Sequence, residues 1–133
     1  MRQIDHHLAT GVAAGEATRT HKVWNPSTGE VQAEVALGDA ALLERAVAKA
    51  REVQPEWAAT NPQRRARVMF KFKELVEAHK QELAELLSSE HGKVVDDAHG
   101  DVQRGLEVIE YACSIPQALK GEYTQGAGPG IDV

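Results

Sequence analysis

Arg104 is the side chain with the clearest chemical reach in this sequence. On a helix, positions 108, 111 and 115 all fall within about 40° of position 104 at ~100° per residue. Their side chains are Arg, Val, Tyr and Ile. A guanidinium at the head of an apolar face must reach water or find an anion. Asp101 and Glu107 stand three residues away on either side and are its local ion-pair partners. The alternative is a ligand's carboxylate or phosphate held by two parallel N–H bonds, the geometry that arginine suits best. Gly105, next in sequence, either leaves room for a ligand or permits close helix packing.

The other chemistry-bearing residues give weaker patterns. Cys113 is the one cysteine, so neither an intrachain disulfide nor a four-cysteine zinc site can form. A reactive thiol needs a helix N-terminus, a cation or a paired histidine to lower its pKa. Cys113 instead lies late in a helical pattern beside Ile109, Ala112 and Ile115, which predicts a small buried core residue. None of the six histidines, His6, His7, His21, His79, His91 and His99, has a partner four residues on. That excludes a helical zinc pair and predicts surface histidines. Gly126-Ala127-Gly128-Pro129-Gly130 follows a helix and leads toward a strand. A dinucleotide loop needs the opposite order, and Pro129 lacks an amide donor, so a turn is expected. No metal site and no catalytic residue is expected within these residues.

The positioning elements follow from periodicity. Residues 1–21 carry little pattern and are expected to be irregular, with at most one short strand. Residues 22–37 predict a β-hairpin. Val31, Ala33, Val35 and Leu37 alternate with Gln32 and Glu34, and Asn25-Pro26-Ser27-Thr28-Gly29 supplies the turn. Residues 39–120 predict three long helices. The first is capped by Asp39 and ends or kinks at Gln54-Pro55. The second opens at Asn61-Pro62, bends near Ala78-His79 and stops at Gly92 in a left-handed cap. The third spans Val94 to Leu119, with a kink expected at Pro116. Its polar residues Glu107, Glu110, Ser114 and Gln117 form one narrow stripe, so most of its girth calls for burial by neighbours on several sides. Residues 121–133 read as a turn and the start of a strand.

The chain has 133 residues and a formal net charge of −5, with 42% hydrophobic and 26% charged residues. This is the composition of a globular chain, and the length suggests one domain. The acidic balance argues against nucleic acid or an anionic membrane as partner. No apolar run approaches the ~20 residues of a membrane span. The absence of a signal-peptide pattern and the single cysteine predict a cytoplasmic protein. Two long helices and a hairpin are too few to cover the third helix. The chain is therefore expected either to be the front of a larger fold or to oligomerise.

Several stretches together resemble the aldehyde dehydrogenase superfamily. Asn25-Pro26-Ser27-Thr28-Gly29-Glu30 resembles its N-terminal turn, and Glu90-His91-Gly92-Lys93 its Glu-x-Gly-Lys. The blocks Ala98 to Cys113, Ile115 to Tyr123 and Gly130 to Val133 resemble the CoA-acylating methylmalonate-semialdehyde dehydrogenases. The resemblance implies an aldehyde dehydrogenase-like α/β fold of which residues 1–133 form only the N-terminal part of the coenzyme-binding domain. It implies NAD and CoA as cosubstrates of a full-length homotetramer, neither bound by this piece alone. The reaction would convert methylmalonate semialdehyde to propionyl-CoA and carbon dioxide in valine or inositol breakdown. The family nucleophile lies beyond the matching stretch and is not Cys113, so this piece alone is expected to be inactive. Arg104 matches the family arginine thought to bind the semialdehyde carboxylate. Two alternatives remain open at this level: a stand-alone helical interaction module, or part of a non-acylating dehydrogenase that uses water in place of CoA.

Overall fold

A computed structural model describes residues 1–8, 11–13 and 17–133. Strands β1 (Arg2–Ile4), β2 (His6–Leu8), β3 (Gly11–Ala13), β4 (Arg19–Trp24) and β5 (Val31–Leu37) precede helices α1 (Ala40–Ala59), α2 (Pro62–Ala78), α3 (Lys80–His91) and α4 (Val95–Ala118). The expected hairpin is β4 and β5, paired antiparallel from Arg19↔Leu37 to Trp24↔Val31. Its turn closes through hydrogen bonds of 2.8 Å from the Asn25 amide to the Glu30 carbonyl and from the Gly29 amide to the Asn25 carbonyl. Gly29 has φ +74°, a conformation open to glycine at no steric cost.

The first 21 residues correct the expectation of an irregular segment. β1 pairs in parallel with β5, giving a sheet of order β1-β5-β4, while β2 and β3 pair antiparallel. Such short strands carry no readable alternation, and β1 finds its partner some thirty residues away. As the central strand, β5 is covered on both faces. Ala33 and Ala36, of opposite parity, are both buried, and Gln32 on the expected polar face donates to the Ser89 carbonyl of α3 at 3.0 Å.

Among the described residues the helical stretch is four helices, not three. The Asp39 side chain accepts from the Leu42 amide and caps α1. α1 does not end at Pro55. The proline removes one amide donor, and the turn beyond it is closed by the Thr60 amide and hydroxyl on the Glu56 carbonyl. Asn61 caps α2 with Pro62 as its first residue. The bend near Ala78-His79 divides the stretch in two, with His79 ending α2 and opening α3 while its amide and carbonyl still bond Leu75 and Leu83. Gly92 closes α3 at φ +85°.

α4 packs against α2 and α3 and buries Ala98, Leu106, Cys113 and Pro116. These fall on one stripe, so the expected burial over most of the girth is not reached within this chain. Val108, Tyr111, Ile115 and Leu119 are exposed. Pro116 falls in the last turn and α4 stops two residues later; lacking an amide, it cannot make the bond to the Ala112 carbonyl that a helical residue there would make. The expected start of a strand at the C-terminus folds back instead. Thr124 and Val133 exchange backbone hydrogen bonds, and Asp132 accepts from the Tyr123 hydroxyl and the Gly126 amide at 2.7 Å each.

Candidate functional site

The face predicted around Arg104 exists and is bare. The Arg104 side chain is 79% exposed, and Val108, Tyr111 and Ile115 continue the same face toward the C-terminal end of α4, all exposed. A Cβ added at Gly105 would meet nothing within 4 Å, so the glycine leaves open space and is not a site of close helix packing. Of the two carboxylates three residues away, Asp101 takes the guanidinium: Nη1 donates to Oδ1 at 3.5 Å, the long limit of a hydrogen bond.

Asp101 is already committed elsewhere. Its Oδ2 accepts from Lys93 Nζ, which also pairs with Asp97 Oδ2 at 2.8 Å. Lys93 lies in the short link between α3 and α4, directly after the Gly92 cap. Hydrogen bonding to Lys93 holds the Asp101 carboxyl below the usual carboxylate value. Hydrogen bonds to Asp101 and then Asp97 hold the ammonium above its own. Asp101 and Lys93 therefore stay ionised near neutrality.

The remaining candidates separate cleanly. Cys113 is buried, as expected. His7, His21, His79 and His91 are exposed, but His6 and His99 are half-buried. His6 Nε2 is enclosed without a hydrogen-bond partner, and His99 Nε2 pairs with Gln81 Oε1 at 2.8 Å. No group of three metal-ligating side chains occurs among the described residues. The glycine run at 126–130 is a turn, with Gly128 and Ile131 bridged. It is not preceded by a strand and does not open a helix, so it does not fit the pyrophosphate of a dinucleotide. Sequence reasoning missed a small apolar cavity of about 180 Å³, lined by Trp57, Met69, Ala112, Ile115, Pro116 and Leu119 among others. It borders the Arg104 face at Ile115, and its walls come from three helices that no local pattern could have joined. No helix among the described residues is long and apolar enough to cross a membrane.

The chain belongs to the aldehyde dehydrogenase family, whose model matches residues 12–131. Within that family it is 44% identical over 127 residues to the malonate-semialdehyde dehydrogenase of Pseudomonas aeruginosa, an alignment covering 96% of this chain and 26% of that protein. Among solved structures, a candidate methylmalonate-semialdehyde dehydrogenase from Sinorhizobium meliloti 1021, complexed with NAD, superposes with a TM-score of 0.86 at 53% identity, covering 99% of this chain and 27% of that one. The methylmalonate-semialdehyde dehydrogenase of Oceanimonas doudoroffii gives a TM-score of 0.87 at 44% identity with the same coverage. The chain thus spans about a quarter of the length of the relatives it matches.

Proposed function

We propose that this chain forms the N-terminal part of an NAD-dependent, CoA-acylating dehydrogenase that oxidises a short semialdehyde bearing a carboxylate, malonate or methylmalonate semialdehyde. With the second substrate the products are propionyl-CoA and carbon dioxide. In this reading the complete enzyme is a cytoplasmic homotetramer of valine or inositol breakdown. NAD and CoA bind outside these residues, because no loop among the described residues fits a dinucleotide. The observation that carries the reading is the identity of 44% and 53% to semialdehyde dehydrogenases over nearly the whole chain.

The part played by this chain is substrate recognition. Arg104 holds the substrate carboxylate through paired N–H bonds, which fixes the aldehyde end at a set distance from it. Val108, Tyr111 and Ile115 give the bound molecule an apolar wall. Attack on the aldehyde requires an accessible thiolate, and Cys113 is buried, so the nucleophile comes from the rest of the enzyme.

The test is Arg104→Ala in the full-length enzyme carrying residues 1–133. A hydrogen bond between charged groups is worth ~1.5–3 kcal/mol. The preference for methylmalonate semialdehyde over propanal, as a ratio of kcat/KM values, should therefore fall about tenfold or more, chiefly through KM. An equal loss on both aldehydes would reject the carboxylate role. Acyl-CoA among the products separates the acylating enzyme from one that uses water.

A further inference from the structure

An arginine one helical turn from an aspartate has two possible anions, its own neighbour and an incoming ligand. A bidentate pair with Asp101 would use both carboxylate oxygens and two guanidinium nitrogens, leaving little of Arg104 for a substrate. The observed pair is monodentate and long, Nη1 to Oδ1 at 3.5 Å. The second oxygen is occupied by Lys93. The Lys93 side chain is only 16% exposed, against 79% for Arg104, so its ammonium has little water to turn to and stays with Asp101 and Asp97. The charges also balance, because two carboxylates (Asp97, Asp101) meet two cations (Lys93, Arg104). Without Lys93 the group would carry a net negative charge beside the place an anion must enter.

We propose that Lys93 is a positioning residue for Arg104: by occupying Oδ2 of Asp101 it limits that carboxylate to one weak contact and keeps the guanidinium available to a carboxylated substrate. This rests on the reading of Arg104 given above. The Lys93 ammonium is held above its ordinary pKa by the same two carboxylates, so it performs this role throughout the neutral range.

The experiment uses a full-length enzyme carrying residues 1–133, for instance a chimaera on the remainder of the Oceanimonas doudoroffii relative. The readout is the ratio of kcat/KM for methylmalonate semialdehyde to that for propanal. Lys93→Met frees Asp101 to engage Arg104 and should lower the ratio about threefold to fivefold, the scale of an exposed ion pair, through KM for the carboxylated aldehyde. Adding Asp101→Asn to that variant should restore the ratio to within about twofold of the parent, because neighbouring sites in one ion-pair network couple. Lys93→Arg should hold the parental ratio. Asp101→Asn alone should hold or raise it, and it decides the matter if Lys93→Met does not fold. A parental ratio in Lys93→Met, no recovery in the double variant, or a lowered ratio in Asp101→Asn alone would overturn the assignment. If Arg104→Ala lowers the ratio while Lys93→Met does not, only the assignment of Lys93 falls. If Arg104→Ala leaves it unchanged, the carboxylate role falls and Lys93's with it.

Discussion

Gly92→Ala should destabilise the chain by about 2–5 kcal/mol, and the cost divides into two parts that can be separated. The first is conformational. Gly92 sits at φ +85°, where an L-residue pays ~1–2 kcal/mol because its Cβ crowds the following carbonyl. The second is steric. A Cβ at this position would lie 2.9 Å from Pro26 Cγ and 3.4 Å from Pro26 Cβ. The pyrrolidine ring is tied to its own backbone and cannot swing aside as a flexible side chain would. Overpacking of this kind costs ~1–3 kcal/mol. Pro26→Ala removes the nearer atom, so in that background Gly92→Ala should cost only the conformational part. A double-mutant cycle should then give a relieving coupling of ~1–3 kcal/mol. Urea unfolding followed by helical ellipticity measures all four chains, with constant m values showing that only stability has changed. A cost below ~1 kcal/mol, or the same cost in both backgrounds, would mean that the turn at Pro26 yields and is not packed against the α3 cap. The variant also bears on the site, since Gly92 hands the chain directly to Lys93.

Two further outcomes test the packing and the charges. Leu106, 1% exposed, is the largest fully buried side chain among the described residues, so Leu106→Ala should cost ~2–5 kcal/mol in the same urea assay. Leu119→Ala, at a position 61% exposed, should stay within ~0.5 kcal/mol; similar costs at both would refute the observed orientation of α4. Asp101, beside Lys93, and Asp132, under the Gly126 amide and the Tyr123 hydroxyl, both titrate below the ordinary value of 3.8. The unfolded chain therefore binds more protons near that pH. The stability these groups contribute is present above it and lost as pH falls through their folded values. Lys93 and Lys73, paired with carboxylates, titrate above 10.5, so their contribution is present below that pH and lost as pH rises through their folded values. Asp101→Asn should flatten the acid limb of a stability–pH curve, and an unchanged acid limb would count against its pairing with Lys93.

The parts of the fold legible in the sequence were those decided by local chemistry. Asp39 and Asn61-Pro62 begin helices because a short polar side chain can take an orphan amide and because a proline at the first helical position loses no bond. Gly92 ends one because glycine accepts positive φ. The strands before residue 19 were not legible, since β1 depends on a parallel partner far along the chain. α4 departs from its pattern for a different reason. Its apolar girth encodes burial on several sides, and the pattern is real, but these residues cover only the stripe from Ala98 to Pro116. The chain spans about a quarter of the length of its relatives, and the face of Val108, Tyr111 and Ile115 is exposed.

The site divides along the same line. Arg104, Val108, Tyr111 and Ile115 share one helix, so 3.6-residue periodicity was enough to place them on one face, and i, i+3 spacing was enough to name Asp101 as a partner. In the sequence Lys93 stands only as the last residue of Glu90-His91-Gly92-Lys93. It lies outside α4, behind a glycine whose left-handed turn breaks any periodic argument, and it reaches Asp101 only because that turn points the chain back along the next helix. Yet this third charge decides what the first two mean. With both oxygens free, Asp101 would hold Arg104 to its own helix and the pair would be one more surface ion pair of small worth. With one oxygen taken by a half-buried ammonium, the same aspartate is too weak a partner to keep the guanidinium from a ligand. An arginine–aspartate pair on a helix is thus not evidence against a binding role until the aspartate's other oxygen has been accounted for.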